Sequence, residues 1–326
     1  MEIEPIESEE DMIIIDIDAA GNELPSKHDK IIIVDADTIA FAACSVKEYE
    51  VEVLGEEFHT PEEMAELRSK KSWNEETFTY RDIDINESIL HAKGKMDLIL
   101  DRIGGKIENT ELHFTSGRNF RYDLLEDMFP DKPEMWYKAN RGKRKPAPVG
   151  LAETKDGLKA HFKSMYHTKV EADDYVVMRK KQLRENGILV IVDKDIYNNC
   201  QDYGQPHWNY YEAPWLKNPI KMRWVDRSPE EAMYNQYLQA ITGDKSDNIP
   251  GLKGIGPKKA AKYLDEGMTE LELWRGLETA YLQHCKYVPE GKTPTDMAVL
   301  NMRLVNMHQL QEDGEIILWQ PKTSKN

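Results

Sequence analysis

The most informative segment of the chain is Gly243-Asp244-Lys245-Ser246-Asp247-Asn248-Ile249-Pro250-Gly251-Leu252-Lys253-Gly254-Ile255-Gly256-Pro257-Lys258-Lys259-Ala260. Its first half places two carboxylates three residues apart, beside a glycine and ahead of a proline. Its second half spaces three glycines around two apolar residues and then predicts a helix that begins at Pro257. Glycine lets a backbone approach a ligand closely, and the amides at a helix start attract anions such as phosphate. The segment therefore joins a candidate metal-ligand pair to a candidate clamp for a phosphate backbone.

Bulk composition limits the class of protein. A length of 326 residues favours about two domains, or one domain with a large insertion. The formal net charge of −16 excludes unselective coating of DNA but allows a local basic groove. The three cysteines, Cys44, Cys200 and Cys285, contain no CxxC pair, so neither a disulfide framework nor a cysteine zinc site is indicated. We expect a reducing, cytoplasmic setting.

The first 28 residues form an acidic tail. Ten acidic side chains in residues 1–29 stand against one lysine, Lys27. This composition is typical of a mobile tail or of an arm that docks on a protein partner, and both interpretations stay open. No apolar run approaches the roughly 18 residues of a membrane span, and the acidic start is unlike a signal peptide.

Two all-apolar runs end in acids. Ile31 to Val34 precedes Asp35 and Asp37, and Ile188 to Val192 precedes Asp193 and Asp195. Such runs are typical of strands buried on both faces, and ligands of open α/β sheets collect beyond the carboxyl ends of the strands. Asp37 is interpreted either as an outer partner of a metal site or as a helix cap.

A third acidic group begins a predicted helix. Glu171-Ala172-Asp173-Asp174 places three carboxylates in one turn, and the helix dipole accounts for only one or two of them. A divalent cation would relieve the repulsion within the group.

The other elements are predicted from periodicity and turn signals. Residues 46–102 are interpreted as helical and partly an insertion, with a strand at Leu112–Thr115. Residues 203–224 are rich in aromatics and favour a packed β-hairpin over base stacking. Helices are expected from Ser228 to about Ile241 and from Thr293, with a last strand at 315–319.

A basic stretch interrupts the acidic background near residues 130–150. It is interleaved with Trp136 and Tyr137 and contains Lys132, Lys138, Arg141, Lys143, Arg144 and Lys145. An isolated run of this kind is usually a solvated loop. Cations grouped with aromatics in an acidic chain favour contact with phosphates instead.

Three functional classes fit parts of this pattern. Asp35-Ala36-Asp37-Thr38, with Thr115 and Gly243-Asp244, imitates phosphatases of the haloacid-dehalogenase type, in which Asp35 would be the nucleophile. That interpretation leaves the acids at 171–174, the glycine hairpin and the basic stretch unexplained. A catalytically inactive module that binds DNA structures is the non-enzymatic alternative.

The combined motifs resemble the flap endonuclease/5′–3′ exonuclease superfamily, and within it the 5′–3′ exonucleases of T-odd (T7-like) bacteriophages. The resemblance is carried by the opening segment, the acids at 171–174 and at 193–195, Val34-Asp35 and Tyr137-Lys138-Ala139-Asn140-Arg141. It covers roughly residues 30–321. Many relatives carry Asp near residue 116, where this chain has Thr115 and Ser116.

The resemblance implies an α/β fold with a mostly parallel central sheet flanked by helices, followed by a helical helix–three-turn–helix region. The expected division is a tail at 1–28, a nuclease core with a helical insertion and a basic arch at 29–225, and the DNA-binding region at 226–326. Expected substrates are duplex or flap DNA cut from the 5′ end, and the RNA of RNA–DNA hybrids. We expect a monomer, in the cytoplasm of a bacterial host if the gene belongs to a phage.

Metal-assisted phosphodiester hydrolysis fits these residues. We assign the tighter of two Mg²⁺ (or Mn²⁺) sites to Asp35, Glu171, Asp173 and Asp174, and the second to Asp193, Asp195, Asp244 and Asp247. By resemblance, Lys138 and Arg141 would hold the scissile phosphate. DNA contacts are expected from Lys143, Arg144, Lys145, Lys253, Gly254, Gly256, Lys258 and Lys259, and the family adds K⁺ at the hairpin.

Overall fold

The computed structural model describes residues 30–322 except 55–56, 60–62, 64–65, 67–76, 144–146, 200–206, 214–215 and 218. The strands are β1 Ile31–Asp35, β2 Glu48–Leu54, β3 Glu57–His59, β4 Thr77–Ile83, β5 Thr110–Thr115, β6 Lys163–His167, β7 Gly187–Ile191, β8 His207–Asn209 and β9 Arg223–Val225. The α-helices are α1 Asp37–Lys47, α2 Ile85–Ile103, α3 Phe120–Met128, α4 Leu151–Leu158, α5 Ala172–Leu183, α6 Lys194–Asn199, α7 Pro229–Thr242, α8 Pro257–Ala260, α9 Glu270–His284 and α10 Pro294–Val305. Short 3₁₀ turns lie at Ile107–Asn109, Pro133–Met135, Ala139–Lys143 and Arg184–Asn186.

A six-stranded sheet in the order β6-β5-β1-β7-β8-β9 forms the centre of the molecule. All neighbouring pairs are parallel except β8 with β9. Side chains alternate between the faces of a strand, so Ile32 and Val34 pack toward α1 and α2, while Ile33 packs toward α5. Helices on both faces explain why β1 reads as an unbroken apolar run. The predicted mostly parallel α/β fold is confirmed.

The stretch between α1 and α2 differs from the prediction. Residues 46–102 were expected to be helical, but β2 pairs antiparallel with both β3 and β4 to form a separate three-stranded sheet. The alternation in Glu50-Val51-Glu52-Val53 has the period of two that favours a strand, and this signal is the correct one here. Helix α2 matches the helical prediction, and it ends where Gly104 adopts a left-handed conformation with φ 68°. The predicted helix start at residues 60–63 lies largely outside the described residues.

The C-terminal elements form a second core. Helices α7, α9 and α10 share an apolar cluster. This cluster also contains Leu125 of α3, Phe129 directly after α3, and Tyr137. The aromatic hairpin is confirmed, since β8 pairs with β9 and Trp208 contacts Trp224 edge to face. The last strand predicted at 315–319 is wrong, because that stretch makes a single bridge between Ile316 and Leu310. In the described part of the chain, no helix is long and apolar enough to cross a membrane.

Candidate metal and nucleic-acid site

Three acids meet beyond the carboxyl ends of the central strands. Asp35 ends β1, Asp193 follows β7, and Asp173 lies in the first turn of α5. Burial, together with the charges of Asp37 and Asp193, raises the pKa of Asp35 to about 8. Burial also raises the pKa of Asp173 well above its usual range, with further contributions from Asp35, Asp193 and Glu171. The fold has brought these carboxylates close enough for each to disfavour the ionised form of the others.

The oxygen donors of this cluster fit a hard divalent cation. Buried carboxylates that repel one another gain most from a nearby positive charge. Within the described residues, no group of three or more His, Cys, Asp or Glu side chains is arranged as a ready-made metal cage. Mg²⁺ that is bound through a few carboxylates commonly keeps several water ligands.

Asp37 makes hydrogen bonds to groups on β5, α4 and β1. It begins α1, accepts a hydrogen bond from the Thr115 amide at 3.0 Å and pairs with the Lys155 ammonium at 2.5 Å. Its own amide donates to Asp35 Oδ1 at 3.3 Å. Asp37 thus holds the end of β5 against the start of α1 and orients Asp35. Lys155 was missed by sequence reasoning because only the folded chain brings α4 to this edge.

Thr115 stabilises the acidic helix start. Its hydroxyl accepts a hydrogen bond from the Ala172 amide at 2.9 Å. This amide belongs to the first turn of α5, whose early amides lack partners within the helix. The hydroxyl therefore helps to fix the turn that carries Glu171 and Asp173.

Asp174 is paired with an arginine from another helix. It was assigned to the tighter metal site, but both of its oxygens accept hydrogen bonds from the Arg121 guanidinium at 2.7 Å. It is fully buried and also accepts the Glu171 amide at 3.0 Å, which completes a capping box. These contacts give Asp174 a role in positioning the helix start. Nothing in the local sequence around Arg121 indicates this pairing.

Three residues of the basic stretch contact the acids. The Lys138 ammonium pairs with Glu171, and Arg141 pairs with Asp247 at 2.7 Å. The Tyr137 hydroxyl lies 2.8 Å from Glu171 Oε2 and 2.9 Å from Asp247 Oδ2. Burial, followed by the charge of Glu171, raises the pKa of Tyr137 well above its usual range, so the hydroxyl stays protonated. The structure thus places the predicted phosphate-binding cations beside two predicted metal ligands.

Asp195 and Asp244 are tied mainly to their own loops. The Asp195 amide donates to Asp193 Oδ1 at 2.8 Å, at the start of α6. Asp244 is buried, exchanges two backbone hydrogen bonds with Ile249 and accepts the Ser246 amide at 2.5 Å. Their assignment to a second metal ion stays a prediction.

The glycines of the opening segment have two different roles. A Cβ on Gly251 would lie 2.3 Å from the Gly243 nitrogen, so these two glycines allow the ends of the loop to touch. Gly254 and Gly256 face open space, because no atom lies within 4 Å of an added Cβ. Leu252 and Ile255 alternate with them and are buried in the C-terminal core. The hairpin is therefore anchored on its apolar side and presents a bare backbone outward.

A basic cavity of about 530 Å³ adjoins the hairpin. It is lined by Lys253, Gly254, Ile255, Lys259, Lys262, Tyr263, His284 and Lys286. Lys262 and Lys286 were missed, although Lys262 falls one turn after Lys258 and Lys259. Lys259 also donates to the Gly254 carbonyl at 2.8 Å, so it stabilises the hairpin in addition to supplying a positive charge. Lys143 ends a 3₁₀ turn, and Arg144 and Lys145 lie outside the described residues.

Comparison with known proteins gives sequence relatives and structural neighbours. No family model matches the chain. It is 29% identical over 171 residues to flap endonuclease Xni of Shewanella woodyi, a match over 50% of this chain and 65% of that protein. The corresponding protein of Shewanella sp. strain MR-4 is 32% identical over 181 residues, over 52% of this chain and 64% of that protein. The chain thus spans less than two thirds of the length of these relatives.

The structural neighbours include a T5 D15 protein co-crystallised with metal ions and the catalytic core of Rad2 in complex with DNA substrate. The first has a TM-score of 0.47 and 16% identity, covering 85% of this chain and 89% of the other. The second has a TM-score of 0.45 and 13% identity, covering 90% and 84%.

Proposed function

We propose that this chain, which belongs to the flap endonuclease/5′–3′ exonuclease superfamily, is a metal-dependent nuclease that hydrolyses phosphodiesters from the 5′ end of duplex or flap DNA. One observation carries the proposal. Acids at the carboxyl ends of β1 and β7 lie next to a basic segment that is itself held by the loop entering a glycine hairpin.

The acids would hold the metal and the cations would hold the substrate. Asp35, Glu171, Asp173 and Asp193 supply the oxygens, and two divalent ions would activate the attacking water and stabilise the leaving oxygen. Lys138 and Arg141 now neutralise Glu171 and Asp247. When a phosphate enters, these two cations can turn to its oxygens and offset the charge that develops in the transition state.

The hairpin would grip the duplex through its backbone. Gly254 and Gly256 leave room for close approach, and the lysines of the basic cavity add charge without reading bases. A clamp of this kind selects for DNA shape and fixes the distance from the duplex to the acids.

Several finer points belong to the same proposal. The ions would be Mg²⁺ or Mn²⁺, with K⁺ at the hairpin, and the RNA of RNA–DNA hybrids would also be cut. The protein would act as a monomer, and its acidic tail would contact a protein partner. Each follows from the family resemblance or from composition.

The direct test compares duplexes labelled at the 5′ and at the 3′ end, with Mg²⁺ and with EDTA. We expect early release of short 5′-labelled products, blocked by EDTA. Hydrolysis of para-nitrophenyl phosphate without any cleavage of DNA would instead support the phosphatase. Binding to flap DNA with no turnover in Mg²⁺ or Mn²⁺ would support the inactive module.

The site assignment is tested by Asp173→Asn. This change keeps the side-chain volume but removes a buried charge that faces the metal, so cleavage should fall by at least about 10²-fold while DNA binding remains measurable. Asp97→Asn, in an exposed ion pair on α2, is the matched control. Near-normal turnover in Asp173→Asn would remove this residue from the site.

A further inference from the structure

The loop of residues 245–248 is fastened to the basic segment of residues 134–141. The Asn248 side-chain amide donates to two carbonyls of that segment, Glu134 O at 2.9 Å and Trp136 O at 2.8 Å. The Lys138 amide donates to Asp247 O at 2.9 Å. The side chain of Asn140 donates to the Lys245 carbonyl. One of these hydrogen bonds joins backbone to backbone, the other three are donated by asparagine side chains, and none involves a charged side chain.

Unusual backbone conformations occur on both sides of this contact. Three non-glycine residues of the described chain have a positive φ, and two of them are Lys138 at 57° and Asn248 at 61°. Non-glycine residues rarely occupy this region, although Asn tolerates it better than most, and such residues persist where surrounding contacts fix them. The fold therefore uses its contacts here to fix two facing backbones.

A cavity of about 930 Å³ lies between residues 129–135 on one wall and the hairpin of residues 249–257 on another. Beside this cavity the two regions meet in the shared apolar cluster, which contains Phe129, Tyr137 and Leu252. The 245–248 loop supplies the hydrogen-bonded contact between the hairpin and residues 134–141. The loop is closed at its base by the Asp244–Ile249 bridge and leads directly into the hairpin.

We propose that Asn248 is a positioning residue that couples the hairpin to the two cations of the active site. Movement of the hairpin on duplex DNA would pass through the 245–248 loop to the backbone of Lys138, and so to its ammonium beside Glu171. Asn248 acts through the main chain of the basic segment and does not itself touch the reacting phosphate. This inference rests on the proposed nuclease function.

The test uses three substitutions in the full-length chain. Asn248→Gly accommodates the positive φ but removes both donated hydrogen bonds, whereas Asn248→Ala removes the bonds and also strains the backbone. Asn248→Asp keeps the shape but offers oxygen in place of the donor. Asn235→Ala is the matched control, because the Asn235 amide donates within α7 to the Glu231 carbonyl at 2.8 Å.

Two readouts separate positioning from a merely structural role. In steady-state cleavage of a 5′ flap, Asn248→Gly should lower kcat at least about tenfold while the dissociation constant for DNA stays within about twofold. Hydrogen exchange of the metal-free protein should show faster exchange of the Lys138 amide region in all three variants and no change in Asn235→Ala.

The outcomes are distinguishable. Unchanged exchange at residues 134–141 would overturn the inference, and so would a loss of DNA affinity that matches the loss of kcat. If the wild-type protein cuts no DNA, the proposed function fails on its own. The exchange measurement still decides in that case whether Asn248 holds the basic segment.

Discussion

Asp35 is a buried acid whose ionised form a nearby metal ion would stabilise. Its carboxylate lies at 4% exposure and near two other acids, so ionising it without a cation is unfavourable. A fold that places several such groups together is less stable in the absence of metal. The acids are therefore retained at a cost in stability that an ion would offset.

The stability of the metal-free protein should fall with rising pH because of Asp35. Its pKa in the folded chain, about 8, lies above the ordinary value of 3.8, so its contribution is fully present below pH 3.8 and is lost as pH rises toward 8. The buried His113, His167 and His207 have lowered pKa values and are mainly neutral in both states above about pH 7. We therefore expect Asp35→Asn to raise the melting temperature in EDTA at about pH 8 by about 2 °C or more.

The same melting curves give the control and the contrary result. Asp97→Asn should leave the pH dependence between about pH 7 and 8 unchanged, and Asp35→Asn should flatten it. Added Mg²⁺ should stabilise the wild type more than Asp35→Asn, because the carboxylate that the ion relieves is gone. A melting temperature that rises with pH over this range in EDTA would contradict the account.

Arg121 is a residue whose importance is visible only in the fold. Its guanidinium donates to both oxygens of Asp174, to Leu304 O at 2.8 Å and to Asn306 O at 3.3 Å. We expect Arg121→Met to destabilise the protein by about 3–5 kcal/mol, since it leaves a buried carboxylate without its cation. The midpoint of urea unfolding measures this effect.

A second substitution separates the charge from the packing. In Arg121→Met/Asp174→Leu both charges of this buried pair are removed, so part of the lost stability should return. The two carbonyls of the C-terminal region still lack their donor, so recovery should be incomplete. A change below about 1 kcal/mol in Arg121→Met would show that this pair does not hold the two regions together.

At the scale of the element, different residues of the hairpin anchor it to the core and face the solvent. Buried Leu252 and Ile255 anchor it, whereas Lys258 and Lys259 face outward. Lys258→Ala/Lys259→Ala should weaken DNA binding and reduce the slope of log affinity against log salt by about 2, one unit for each lost phosphate contact. Fluorescence anisotropy of a labelled duplex over a salt series measures this slope.

The hairpin prediction has an internal control. Lys93→Ala on α2 removes one exposed charge, in an ion pair with Asp97, and should leave the slope unchanged. Lys262→Ala and Lys286→Ala should behave like Lys259→Ala, because the three side chains line the same basic cavity. An unchanged slope in the double variant would show that Lys258 and Lys259 do not contact phosphates.

Local patterns predicted the elements whose signal is contained in one segment. The apolar run of β1, the capping of α7 by Ser228 and the proline start of α10 all lie where the sequence placed them. The sheet of β2, β3 and β4 was missed because β2 and β4 pair residues that lie 23 to 35 positions apart in the sequence. Register and partner choice depend on such non-local contacts.

The candidate site also contains some residues that local patterns predicted and others that they could not predict. Asp35, Asp173 and Asp193 could be found because acids at strand ends and helix starts converge in an open α/β sheet. Lys155, Arg121 and Asn248 act through partners on distant elements, for example α4 with α1 and α3 with α5. Their residue types alone carry no such information, and the pairing of Asp174 with Arg121 was missed because the two residues lie 53 positions apart.

At the scale of the whole molecule, the two predicted regions share their cores. Leu125, Phe129 and Tyr137 of the first region are buried in the apolar cluster of α7, α9 and α10. Asn199 accepts the Met307 amide at 2.8 Å and donates to the Val305 carbonyl at 3.1 Å. The division at residues 225 and 226, which stays a prediction as a boundary of function, therefore cuts through a continuous set of buried contacts.

The final prediction follows from this shared core. We expect the full chain to unfold in a single transition, with far-ultraviolet circular dichroism and tryptophan fluorescence giving the same midpoint. Separate fragments of residues 30–225 and 226–322 should each lack a cooperative transition, because cutting exposes the apolar side of α3 and the faces of α7 and α10 that it covers. If the C-terminal fragment alone gave a dispersed amide spectrum and a sharp melting curve, the clamp would be an independent domain, and its coupling to Lys138 through the 245–248 loop would have to act across a flexible junction.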